Sequence, residues 1–296
     1  MPVSDPCHAV AAPSGSRAAD ASWPSRLQLR YRHEAGRTVA WHLHSGALRV
    51  LAALHPEGDA ICHHVMLHPP AGLAGGDTLD IDVQVQPGAH ALLTTPGATR
   101  FYRSLGRDAS QTLHARVDGA ARLEWLPLES LAFTDCRGDN RCVFELEPGG
   151  ELLAWDMLAL GRPAAGDHFE RGRFTQHLEI PGVWLERGCI DAADRVLRDA
   201  PGGLAGHAAL GTLLFAAGEA IDPARRDRLL DAVRGLLDAA PVGVHAGVTA
   251  PQPQVVVLRV LAQRVEPLSE LLRAAWQAWR AQAWGLPACA PRVWAT

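Results

Sequence analysis

Between residues 27 and 184 the apolar side chains recur at a period of two, in runs cut short by turn residues, which confines that stretch to β-structure. Leu79, Ile81, Val83 and Val85 alternate with Asp80, Asp82, Gln84 and Gln86, the pattern of a strand with one buried face. Pro87-Gly88 stops it, and 89–95 reads as the returning strand of a hairpin. Leu113, Ala115 and Val117 repeat the alternation ahead of Asp118-Gly119, with a further strand through Leu123 and Trp125. Strands at 142–146 and 152–157 flank Glu147-Pro148-Gly149-Gly150. The expectation is a mainly β region of antiparallel strands, with no internal repeat that stands out. Helical spacing comes late. Asp222-Pro223 supplies an N-cap and a first-turn proline before Leu229, Leu230, Val233, Leu236 and Leu237. A second helix is expected over 267–284, closed by Gly285. Between the two, 255–261 reads as a buried strand and 243–253 as a loop. Residues 23–296 are expected to form one domain, preceded by a disordered Ala-, Ser- and Pro-rich tail over 1–22.

Composition narrows the chemistry. The chain has no lysine, so all 28 basic residues are arginine. A phosphate-binding P-loop and a Schiff-base enzyme both need a lysine and are excluded. A net charge of −4 gives no reason to expect nucleic acid or an anionic membrane as partner. No apolar run approaches the roughly 20 residues of a membrane span, and the first 22 residues lack the features of a secretory signal, so a cytoplasmic protein is expected. Six cysteines, at 7, 62, 136, 142, 189 and 289, show no C-x-x-C spacing and read as reduced thiols. G-x-S-x-G and H-E-x-x-H are absent, as is any recognisable Cys–His nucleophile spacing.

Three constellations remain. His55, Cys62, His63, His64 and His68 have the imidazole and thiol chemistry that suits nickel, zinc or copper, yet neighbours on a strand point to opposite faces and all five cannot converge. Histidines hydrogen-bonded at a strand end are the plainer reading. Gly72-Leu73-Ala74-Gly75-Gly76-Asp77 reads as a sharp turn in which glycines take positive φ and Asp77 caps backbone amides. Its carboxylate is also a potential contact for a cation. Thr94-Thr95-Pro96 runs towards Arg100, Phe101, Tyr102 and Arg103, where two arginines around two aromatics have the make-up either of a binding hot spot or of a strand corner with Tyr packed inward.

The segment 68–104, HPPAGLAGGDTLDIDVQVQPGAHALLTTPGATRFYRS, resembles the signature of the urease accessory protein D family (UreD, also called UreH). The likeness continues in family order through His55-Pro56-Glu57-Gly58, Leu123-Glu124-Trp125-Leu126-Pro127, Trp155-Asp156, Leu160-Gly161-Arg162, Glu186-Arg187, Gly247-Val248-Thr249 and Pro291-Arg292-Val293-Trp294. It departs from the family at Ala47, at Ala71 (where the family has glycine), at Arg100 for lysine and at Leu128 for glutamine. The resemblance implies an irregular β-helix-like stack of antiparallel strands with two or so C-terminal helices. It implies a maturation factor, not an enzyme, that works with accessory proteins F and G on apo-urease, holding no tight cofactor and guiding nickel in transit. On that reading Cys62, His63, His68, Asp77, Thr94, Thr95 and Glu186 line the nickel route, and Arg100, Phe101, Tyr102 and Arg103 meet a partner. A β-rich enzyme acting on a carbohydrate or metabolite, and a metal-independent interaction module, are the alternatives.

Overall fold

The computed structural model describes residues 22–295; the expected tail falls almost wholly outside them. The chain opens with an antiparallel hairpin of β1 (Pro24–Glu34) and β2 (Arg37–Ser45), then a short β3 (Arg49–Val50) and β4 (Ile61–Leu67). Three coils follow: β5 (Thr78–Val85), β6 (His90–Thr94) and β7 (Thr99–Phe101); β8 (Ala109–Val117), β9 (Arg122–Leu126) and β10 (Ser130–Ala132); β11 (Cys136–Leu146) and β12 (Glu151–Leu160). β13 (Gly172–Ile180) and β14 (Trp184–Asp191) lead through the short helix α1 (Arg195–Asp199) to β15 (Ala209–Ala217). The helix α2 (Pro223–Leu237), β16 (His245–Gln252), β17 (Val255–Ala262) and helix α3 (Val265–Trp284) complete the fold.

These elements make the expected β-helix-like stack, but its pairing is mixed and mostly parallel, not antiparallel as expected. One sheet has the order β14-β13-β11-β8-β5-β1-β2, parallel from β13 to β1 and antiparallel at both ends. The second runs β16-β17-β15-β12-β9-β6-β4-β3, parallel from β12 to β4. The expected hairpins are therefore not hairpins. β5 and β6 share no ladder: β5 pairs with β1 and β8 in the first sheet, β6 with β4 and β9 in the second. Pro87-Gly88, Asp118-Gly119 and Pro148-Gly149 are corners that carry the chain from one sheet into the other. The reason lies in burial. The first sheet alternates, as in β1 and β5, because one of its faces meets solvent. The second is buried along whole strands, as in β6 and β4, because the other sheet covers one face and helices cover the other. Cys62, Ala91, Leu123 and Leu152 sit side by side across β4, β6, β9 and β12, a structural period of about thirty residues typical of a solenoid.

Two cores result. Leu27, Leu79, Ile81, Phe144 and Leu214 belong to the one between the sheets; Trp155, Phe215, Leu272 and Trp279 belong to the one under α2 and α3. The alternating strand residues of the first sheet feed only the former. The second sheet feeds both, which is why its strands carry apolar side chains on successive positions.

Both expected helices form. Asp222 caps α2 by accepting from the Arg225 amide at 2.9 Å, and Gly285, at φ 65°, closes α3. The strand expected at 255–261 is β17. The stretch 243–253, expected as a loop, is instead largely β16, paired with β17. It is an edge strand, where a proline's missing N–H breaks no ladder, so Pro251 is accommodated beside an irregularity between Thr249 and Gln252. Among the described residues no helix is long and apolar enough to cross a membrane.

Candidate functional site

The space between the two sheets is not uniformly apolar. Gln111 on β8, Asn140 on β11 and Gln176 on β13 are register partners across the first sheet. From the second sheet, Asp156 on β12 reaches the same row. Gln111 Nε2 donates to Asn140 Oδ1 at 3.2 Å, Asn140 Nδ2 to Asp156 Oδ1 at 3.1 Å and Gln176 Nε2 to Asp156 Oδ2 at 2.7 Å. Burial pushes the Asp156 carboxyl up to about 6; the Gln176 and Asn140 hydrogen bonds oppose that shift and the nearby Glu186 charge adds to it. Cys142 lies beside the row, and burial, reinforced by the Asp156 charge, raises its thiol well above the ordinary value.

A cavity flanks each end. The first, of about 230 Å³, is lined by Gln111 and Trp125 within and by His68, Ala71, Thr95 and Arg100 towards the surface. The second, of about 440 Å³, is lined by Asp156, Gln176 and the buried Thr212 within and by Glu186, Arg259 and His245 towards the surface. Glu186 accepts from Arg259 Nε and Nη2 at 2.9 and 2.6 Å and from Thr212 Oγ1 at 3.2 Å. Asn140, buried and bonded to both Gln111 and Asp156, joins the two ends.

The residues singled out in the sequence separate into groups. His68 and Thr95 line the first cavity, and Asp77 does not; it lines a neighbouring cleft that it shares with His68. Burial lowers the His68 pKa against the opposing pull of Asp77. Asp77 closes its turn as expected, accepting from the Ala74 amide at 2.8 Å. Glu186 stands at the second cavity. Cys62 faces the core between the sheets, and burial pushes its thiol up to about 12. Its neighbour His63 faces the helices and pairs with Glu57 at 2.7 Å, while His64 turns back to the Tyr31 hydroxyl at 2.8 Å. Thr94 also faces the helices, donating to the Leu126 carbonyl and accepting from Trp294 Nε1. The Arg-Phe-Tyr-Arg run divides: Phe101 is buried edge-on to Phe174, Tyr102 is partly exposed against Phe133, Arg100 lines the first cavity and Arg103 lies at a surface cleft. Among the described residues no group of three or more His, Cys, Asp or Glu side chains is arranged to hold a metal ion.

The Ala71 departure has a local consequence. Ala71 takes φ 60°, the left-handed region that its Cβ disfavours by roughly 1–2 kcal/mol. At Gly72 a Cβ would come within 2.4 Å of the Tyr102 ring, so the corner requires glycine there.

Sequence reasoning missed the strongest electrostatic feature, on the helix side of the second sheet. Arg280 of α3 is fully buried, donating to Glu124 Oε1 at 3.1 Å and to both Glu57 oxygens at 2.7 Å. Glu124 is fully buried as well, accepting from His90 Nε2 at 2.7 Å and Trp276 Nε1 at 2.6 Å. Burial alone would raise the Glu124 pKa; the hydrogen bond and charge of His90, then the Arg280 charge and the Trp276 N–H, hold it below the usual range. Glu57 is held low by His63 and Arg280 against the same burial penalty. The signal was a lone glutamate in the otherwise apolar run Leu123-Glu124-Trp125-Leu126.

A family model described as UreD urease accessory protein matches residues 24–295. Similar proteins include a urease accessory protein UreD of Paracidovorax citrulli, 57% identical over 274 residues that cover 93% of this chain and 99% of the relative. The urease accessory protein UreD of Variovorax paradoxus is 54% identical over 275 residues, covering 93% of this chain and all of the relative. That of Leptothrix cholodnii is 52% identical over 277 residues with the same coverage.

Proposed function

Because this chain belongs to the UreD urease accessory protein family, we propose that its part in urease maturation is to pass nickel through the space between its two sheets into apo-urease, in a complex with accessory proteins F and G. The observation that carries this reading is the Gln111–Asn140–Asp156–Gln176 row linking two surface cavities. A route for a cation needs donors that hold briefly. A carboxylate with its pKa near 6, its oxygens accepting from the Asn140 and Gln176 amide N–H groups, offers a single weak charge, and imidazole or carboxylate at the mouths suits a borderline cation. The Cys142 thiol stays protonated beside the row, so no ready thiolate traps the ion.

In this reading His68, Asp77 and Thr95 shape one mouth and Glu186, with Arg259, shapes the other. Cys62, His63 and Thr94 hold the sheets and helices in place. Arg100, Tyr102 and Arg103, beside the first mouth, form a surface on which a partner docks, with Phe101 anchoring their strand from within. The chain acts as a cytoplasmic scaffold with no tight cofactor, and nickel is its cargo.

The test is urease co-expressed with its accessory set, with and without this chain. Nickel per active site and ureolytic activity are both expected to be lost without the chain and restored when it is supplied. Fully loaded urease in its absence would overturn the proposal.

A further inference from the structure

The second cavity opens beside a pair of imidazoles that lie outside the family motifs. His245, exposed on the edge strand β16, lines the cavity, and the half-buried His207 ring packs edge-on against it with ring centroids 4.8 Å apart. We propose that His207 and His245 are a docking site for a borderline divalent cation at this mouth.

Two features support this. The Leu204 carbonyl lies 2.9 Å from His207 Nδ1 and can only accept, so in the neutral ring Nδ1 carries the proton and Nε2 keeps a free lone pair. A carbonyl accepting from the far ring nitrogen is how proteins orient a ligating histidine. The spacing is also right. With a metal–nitrogen bond of about 2.1 Å, two imidazoles sharing a cation at a right or tetrahedral angle hold their centroids about 4.5–5.3 Å apart. Convergence of both Nε2 atoms on one point then requires side-chain rotation, which the exposure of His245 allows. Two imidazoles make a weak, open site; the Glu186 carboxylate lines the same mouth and that of Asp156 lies further in. The pair thus provides a first contact from which the ion can move inward. His42 and His44, exposed and stacked on β2 with centroids 6.1 Å apart, are a more widely spaced imidazole pair and serve as a control.

The site's role rests on the proposed nickel route, but binding is measured without urease. Ni²⁺ is titrated calorimetrically into the full chain and into H245A, H207Q and H42A/H44A variants, each first checked for an unchanged circular dichroism melt. The tightest Ni²⁺ event is expected to weaken at least tenfold in H245A and in H207Q and to persist in H42A/H44A. An unchanged isotherm in a folded H245A variant, or an equal loss in H42A/H44A, would overturn the assignment. Loss of the route in urease loading with the Ni²⁺ isotherm intact would count against the proposed function alone.

Discussion

Arg280→Ala is expected to lower the unfolding free energy by about 3–5 kcal/mol, the cost of removing one partner from a buried ion pair. Arg280 is the cationic partner shared by two carboxylates, and its loss leaves Glu57 to His63, and Glu124 to His90 and Trp276. The damage reaches the fold because these groups join β4, β6 and β9 to α3. Urea denaturation measures it, and a loss below about 1 kcal/mol would show that the cluster is not a structural clamp. The pH dependence follows from the same groups. Both glutamates titrate below their ordinary value in the fold, so their contribution is complete above that value and disappears as pH falls through the lowered pKa.

Asp156→Asn should act in the opposite direction. Its folded carboxyl titrates near 6 instead of 3.8, so ionising it costs stability. That cost is absent below about pH 4, grows between the two values and is complete above pH 6. The amide removes it while keeping an acceptor for Asn140, and Gln176 can flip to offer its carbonyl. A gain of about 1–2 kcal/mol is expected at about pH 7.5, less than the full shift implies because the cavity admits water. Parallel melts at that pH and at about pH 4 check it: the gain should vanish in acid, and an Asn variant no more stable at the higher pH would contradict the burial of this charge.

Much of the fold was legible in the sequence, and the failures have physical causes. Alternation over 79–86 marked β5, and the Asp222-Pro223 start marked α2. The corners misled because Pro-Gly and Asp-Gly serve a solenoid corner as well as a hairpin. The contrary sign lay in the partner strands: 90–94 is buried on both faces, which a half-exposed hairpin strand would not be. The repeat of about thirty residues is hidden in the sequence because the coils share register and corners but few residues. The family motifs pointed to His68, Asp77, Thr95 and Glu186, whereas Gln111, Asn140 and Gln176 converge only through strand pairing. Asp156 stood in a family motif, yet nothing local showed that it faced the interior.

The most direct test of a route between the sheets is to make the row apolar. Replacing Gln111 and Gln176 by Met, and Asn140 and Asp156 by Leu, removes donors and acceptors together, so the fold should survive. Nickel per active site is then measured in urease co-expressed with its accessory set and this variant. A fall in nickel content of at least about tenfold is expected while the variant still assembles with its partners, the barrier that lost cation contacts would impose. Full nickel loading by an assembled variant would contradict a route between the sheets.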